Sequence, residues 1–271
     1  MRSRNRAGRV RLVLALLVMT VVAGWAIAPA VFTRRDPFAV DPDATFAPPG
    51  AAHWLGTDNL GRDLYARVVY GTASSVPAAL LAVTVALLVG GLLGLLAGYL
   101  RGTVDTVVTR GIDLLMSIPA FLLAMSLITT LGFGTVNVAL AVGIVSIASV
   151  ARLMRAEVLR IGSRPYITAA RVSGRGQLQV LFLHVLPNAM RPVAALTALE
   201  FAAAVLGISA LSFLGLGAQP PSPEWGALIA AGRGSVSTQW WLSIAPGVVI
   251  AVVVIAVNVL SEYLQAEEAG I

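Results

Sequence analysis

Six stretches of mostly apolar residues, at 10–32, 76–100, 112–131, 135–151, 193–216 and 241–263, constrain this chain more than any other feature. A helix needs about 20 such residues to cross roughly 30 Å of hydrocarbon, and each stretch meets or approaches that length. Apolar side chains make up 58% of the 271 residues and charged ones only 12%, which leaves too little polar surface to wet a soluble particle of this size. The expectation is an all-α polytopic membrane protein with six transmembrane helices. The first stretch follows Arg2, Arg4, Arg6, Arg9 and Arg11 and passes Ala26-Ile27-Ala28, a small-residue pattern also found in cleaved leaders. Its long apolar run and the five stretches after it favour a retained signal anchor.

The charges orient these helices. All 19 basic residues are arginine. Five precede the first stretch, two (Arg101 and Arg110) separate the second from the third, and seven, from Arg152 to Arg191, separate the fourth from the fifth. The opposite side holds Arg34, Arg35, Arg62, Arg67 and Arg233, together with Asp36, Asp41, Asp43, Asp58, Asp63 and Glu224. This is the positive-inside pattern, so both termini are expected in the cytoplasm of a cell-membrane protein. The formal charge of +6 thus reports topology and contact with anionic lipid, and no nucleic-acid partner is expected.

The chain divides accordingly. Residues 1–9 form a cytoplasmic N-terminus, 10–32 the first span and 33–75 an extracytoplasmic segment. A five-span core covers 76–264 with an inner loop at 152–192, and 265–271 form a cytoplasmic tail. Within 33–75 the Pro/Asp-rich run RRDPFAVDPDATFAPPG reads as extended loop. Leu60, Leu64 and Val68 then recur at spacing four, which predicts an amphipathic helix leading into the second span. The outer segment 217–240 carries Pro220, Pro221 and Pro223, and it ends at Trp240 and Trp241, where an interfacial aromatic belt would lie.

Chemistry is narrowed by absence. With no lysine there is no phosphate-binding lysine and no Schiff base, and with no cysteine there is no thiol nucleophile, disulfide or thiolate metal site. His53 and His184 are the only histidines and both lie in loops. Glu200 is the one acid near the middle of a span, where burial in hydrocarbon makes an ionisable group a functional candidate. It can face a pore or bond a neighbouring span's hydroxyl. Asp113 lies near the start of the third span, placed to pair with Arg110 at spacing three and fix helix depth, with gating as the alternative. Pro119 is expected to kink that span, as a gate or as a packing feature. Gly90, Gly94 and Gly98, at spacing four, form a smooth stripe for close helix packing.

The inner loop is longer than hydropathy requires. Pro165 and Pro187 bracket a stretch where Ile167, Ala170, Leu181 and Val185 supply apolar faces among arginines and glycines, as in short helices lying across the inner mouth. Such faces need a partner or the lipid surface. Gly174 permits a turn between two helices, and Pro187 is expected to reset the chain before the fifth span.

Residues 166–188, YITAARVSGRGQLQVLFLHVLPN, resemble the cytoplasmic coupling loop of ABC importer permeases, whose pattern is Glu-Ala-Ala, three residues, Gly, nine residues, Ile-x-Leu-Pro. Ala169, Ala170, Gly174, Leu186 and Pro187 match at the required offsets. Thr168 stands where the glutamate would be, and His184 where the isoleucine would be. The peptide and nickel branch of that family often has His-x-Leu-Pro-Asn, as here through Asn188. HWLGTDNLGRDLYARVVYG, RGIDLLMSIPAFLLA and LSFLGLGAQPPSPEWGALIAAGR resemble further segments of dipeptide, oligopeptide and nickel permeases, so the likeness covers most of residues 53–264. The C-terminus departs, with SEYLQAEEAG where the family continues Gly-Asp and then Leu-Arg-Asp.

The resemblance implies one of two permease subunits of an importer, with a second homologous permease. It further implies two cytoplasmic ATPase domains docked on residues 160–190 and an extracytoplasmic substrate-binding protein. ATP and magnesium would be held by the ATPase subunits, with no cofactor or metal on this chain and no catalysis by it. Peptides are the first-choice cargo, with chelated nickel or another small solute left open. A gradient-driven secondary transporter would need more charged sites in the membrane than Glu200 offers. An intramembrane hydrolase would need an acid–base pair at depth that the sequence lacks.

Overall fold

The computed structural model describes Arg2–Glu268 in backbone, and residues 8–263 and Gln265 in side chain. Helix α1 spans Arg2–Ile27, α2 Leu64–Leu100, α3 Gly102–Ser117, α4 Ala120–Leu131 and α5 Thr135–Gly162. Then come α6 at Pro165–Val172, α7 at Gln177–Phe213, α8 at Trp225–Gly232 and α9 at Trp241–Glu268. Five helices (α1, α2, α5, α7 and α9) are long and apolar enough to cross a membrane, and the α3–α4 pair makes six if it is one crossing. Of the expected tail at 265–271, residues 265–268 continue α9 in backbone and 269–271 lie outside the described residues.

Helices α2, α5 and α7 run furthest past their hydropathic limits. The amphipathic segment and the second span are one helix, which starts at Leu64 because the Asp63 carboxylate caps it, accepting from the Ala66 amide at 2.8 Å. Leu60 therefore stands outside the helix, while Leu64 and Val68 bury against Leu228, Trp241 and Leu242 in an outer apolar cluster. Helix α5 continues beyond residue 151 to Gly162, and α7 begins at Gln177. Pro187 does not reset the chain. A π turn at Leu181–Val185 loosens the hydrogen-bond ladder just ahead of it, so its ring and missing N–H are accommodated within a continuous helical run.

Pro119 does more than kink the third span. Helix α3 stops at Ser117, Ile118 takes ψ 132° and Pro119 ψ 126°, and α4 restarts at Ala120 at 93° to α3. The residue before a proline is pushed out of the helical region, which places the break here.

Helix α2 packs along α5, and α7 lies against α2, α5 and α9. The first contact is set by the glycine stripe. A Cβ at Gly90 would sit 2.7 Å from the Ile147 carbonyl, one at Gly94 would overlap the Ala151 carbonyl, and one at Gly98 would sit 2.8 Å from Val158 Cβ. All three glycines therefore face α5 at near-backbone distance. Around this seam lie a central cluster rich in alanine (Ala79, Ala82, Ala139, Ala141) and an inner cluster that includes Met154, Val158, Ile161, Ile167 and Val185.

Candidate functional site

The inner cluster holds the loop between α5 and α7 in place. Helix α6 starts with Pro165 in its first turn and plants Ile167, fully buried, against the inner cluster. Its C-terminus is closed by a Schellman motif. The Gly174 amide donates to the Arg171 carbonyl at 3.0 Å and the Arg175 amide to the Ala170 carbonyl at 3.3 Å, with Gly174 at φ 81°. The chain then re-enters helix at Gln177, whose carbonyl accepts from Tyr99 Oη at 2.5 Å, so the loop is tied to the C-terminal end of α2.

Thr168 and Ala169 point outward, whereas Ala170 is half-buried beneath them. His184 is half-buried, with Arg175 Nη1 2.8 Å from its Nε2 and its carbonyl accepting from Asn188 Nδ2 at 2.6 Å. Leu186 is half-buried and Pro187 exposed. The loop tip is apolar: Val172 is 84% exposed and Leu178 68%, with Phe182 and Leu183 open beside them. An anchored protrusion with an exposed apolar tip is a surface that a partner or the lipid can cover.

Inside the bundle, Glu200 on α7 accepts a hydrogen bond from Ser149 on α5 at 2.6 Å and stays half-buried. At 1.5 Å per residue it lies about 20 Å below Phe213 and about 35 Å above Gln177, well inside the helix. Asp113 does not pair with Arg110. It meets Arg152 of α5 at 3.1 Å, because α3 lies against α5 and both Arg152 and Arg155, one turn apart, face the carboxylates of α3. Arg155 grips Asp105 with two parallel bonds, that from Nη2 to Oδ2 at 2.7 Å. The Asp105–Arg155 pair was not legible in the sequence, since 50 residues separate its members.

The opposite end of the bundle is stapled by charge. Asp58 accepts from the Leu60 and Arg62 amides and from Arg62 Nε at 2.7 Å. Asp63 holds Arg35 Nη1 at 2.8 Å and His53 Nδ1 at 2.9 Å. Buried Arg67 donates to the Pro37 carbonyl at 3.1 Å and the Pro221 carbonyl at 3.3 Å, joining the two outer segments. Glu224, fully buried, caps α8 by accepting from the Gly226 and Ala227 amides at 3.1 and 3.0 Å, and Ser75 Oγ donates to it at 3.2 Å. Burial pushes its carboxyl above the usual range, and the two amide bonds oppose that shift. An acid just ahead of the apolar run WGALIAA was the available signal for this cap.

Among the described residues, no group of three His, Cys, Asp or Glu could hold a metal ion. What the geometry offers is an exposed apolar loop tip at one end, a charge-stapled face at the other, and a helical core between them.

Comparison with known proteins identifies the family. The family described as binding-protein-dependent transport system inner membrane component matches residues 90–267. The di/tripeptide transport system permease protein of Pseudomonas aeruginosa is 38% identical over 256 residues, covering 92% of this chain and 84% of that protein. The glutathione transport system permease protein of Pectobacterium atrosepticum is 36% identical over 252 residues, covering 93% and 83%. The dipeptide transport system permease protein of Haemophilus influenzae is 36% identical over 265 residues, covering 97% and 90%. In fold, the crystal structure of an amino acid ABC transporter with histidines matches with a TM-score of 0.60 at 16% identity, over 77% of this chain and 95% of that chain. These matches displace the gradient-driven and hydrolytic alternatives. The chain belongs to the family of binding-protein-dependent transport system inner membrane components and is a membrane-embedded permease subunit of an ABC importer, not itself the catalyst.

Proposed function

We propose that this chain forms half of a translocation path for di- or oligopeptides, with a second homologous permease supplying the other half. Two cytoplasmic ATPase domains dock on the loop around α6, and an extracytoplasmic binding protein delivers cargo to the outer platform. ATP and magnesium belong to the ATPase partners. Closure of those domains moves α6, and the inner cluster passes that displacement to α5 and α7, switching the spans between inward and outward access. The peptide assignment comes from the relatives, which are peptide permeases by name.

The observation that carries the coupling role is the Schellman-closed helix α6, anchored at Ile167 and presenting Thr168, Ala169 and Val172 to solvent on the arginine-rich side. Glu200 belongs to the path: one carboxylate oxygen is engaged by Ser149 and the group keeps partial exposure well inside the helix, so its other oxygen is available to water or cargo. The test is affinity purification of the tagged chain from its own membranes, followed by uptake of a labelled dipeptide in vesicles. Co-elution of two ATPase domains and ATP-dependent uptake are expected. Uptake that follows an ion gradient and ignores ATP would refute the proposal.

A further inference from the structure

A cleft of about 760 Å³ opens where α5 ends and α6 begins, flanked by α7 and α9. Arg160, Arg164 and Arg191 line it, with Tyr166, Asn188 and Gln265 between them. Arg160 holds Glu157 at 2.5 Å. Among the described residues no carboxylate lies within 4.0 Å of Arg164 or Arg191, and both guanidinium-bearing side chains line the cleft. The first turn of α6 also starts at this cleft, with no side-chain cap and with Pro165 in its first turn, which adds the positive end of a helix dipole. Arginine pairs, amide donors and an uncapped helix start together make a receptor for an anion with several oxygens.

Depth identifies the source of that anion. At 1.5 Å per residue Arg160 lies about 38 Å below Thr135 along α5, Arg191 about 33 Å below Phe213 along α7 and Gln265 about 36 Å below Trp241 along α9. The hydrocarbon is about 30 Å thick and the bilayer with its headgroups about 40–45 Å, so three helices independently set the cleft in a headgroup layer. The apolar tip of the loop, at Val172 and Leu178, lies beyond the other end of α6 and is separate from the cleft.

We propose that this cleft binds the phosphate of an anionic phospholipid in the inner leaflet, with Arg164 and Arg191 as its principal ligands. The lipid then bridges the root of α6 to α7 and α9 and steadies the hinge on which the loop moves. The leaflet named rests on the orientation proposed above.

The experiment uses the assembled transporter in nanodiscs of mixed phosphatidylcholine and phosphatidylglycerol. The phosphatidylglycerol that stays with the complex after detergent extraction is measured by mass spectrometry. The native complex should retain phosphatidylglycerol in preference to phosphatidylcholine, and the Arg164→Gln, Arg191→Gln double variant should retain about tenfold less or lower still. The corresponding double lysine variant should keep part of the preference, and Arg233→Gln on the far face should keep all of it. Inorganic phosphate in the wash should leave the lipid in place. Equal retention of both lipids by the native complex would overturn the proposal, as would unchanged retention in the double glutamine variant. Displacement by inorganic phosphate would assign the cleft to a soluble anion instead, and loss of ATPase subunits with lipid unchanged would assign the arginines to docking. If the glutamine variant fails to assemble, the native preference and the lysine variant decide. Both leaflets of a nanodisc hold both lipids, so this readout does not depend on orientation, and a failure of the topology stays visible separately.

Discussion

Replacing Gly174 by valine perturbs the coupling loop at one backbone angle and almost nowhere else. A Cβ at Gly174 would meet nothing within 4 Å, so the substitution creates no clash with the rest of the protein. The penalty comes from φ 81°, which costs an L residue about 1–2 kcal/mol, and a β-branched residue is the worst case. Both Schellman bonds, from Gly174 to Arg171 and from Arg175 to Ala170, depend on that angle. A penalty of 1–2 kcal/mol lowers the ratio of closed to open turn about 5- to 30-fold. Gly174→Val should therefore reach the membrane at normal levels and melt normally, yet recover several-fold less ATPase on affinity purification and lose most uptake. Gly174→Asn should retain much of both, because asparagine tolerates the left-handed region. Normal uptake by the valine variant, or equal damage from asparagine, would refute the reasoning.

Gly94→Ala should lower the thermal midpoint of the purified complex, since its Cβ would overlap the Ala151 carbonyl and crowd Met154, an overpacking cost of about 1–3 kcal/mol; an unchanged midpoint would contradict the close α2–α5 seam. Glu200→Gln keeps the shape and the bond with Ser149 and should lower cargo-stimulated ATP turnover without moving the melting temperature, whereas a melting shift with intact turnover would make Glu200 structural. Burial raises the Glu224 carboxyl, so the folded state binds more protons than the unfolded one between the ordinary carboxylate value and the raised one. Stability should then fall as pH rises through that window, and Glu224→Gln should flatten the dependence of melting temperature on pH; equal slopes would count against it. Tags after Arg35 and near Gln219 should be reached from outside, and tags near Arg175 and after Gly270 from inside; external labelling near Arg175 would overturn the topology.

Much of this architecture was legible because the bilayer leaves a chain few choices. Apolar runs marked where helices cross, and the glycines at 90, 94 and 98 marked the seam, because a spacing of four puts them on one face. Helix ends were less legible. Hydropathy registers lipid contact, while α5 and α7 extend past their apolar runs on the strength of packing at Val158, Ile161 and Val185. Proline was the other source of error. Pro119 breaks the chain outright, whereas Pro187 is absorbed by a π turn that no local pattern announced. The partners of Asp113 and Asp105 were hidden because helix pairing, not sequence spacing, brings Arg152 and Arg155 to them. The loop around Gly174 could be read as a unit, since a left-handed glycine, an anchoring isoleucine and an exposed apolar tip lie within a dozen residues.

The native chain contains no cysteine, so one placed at Val172, which is 84% exposed at the loop tip, gives the chain a single thiol. A maleimide photo-crosslinker attached to Val172→Cys in the assembled transporter tests the coupling claim directly. The account predicts a crosslink to an ATPase subunit whose yield changes when ATP is added, with no reaction toward a membrane-impermeant thiol reagent applied from outside. Labelling from outside, or efficient activation with no crosslink to any ATPase subunit in either nucleotide state, would contradict it.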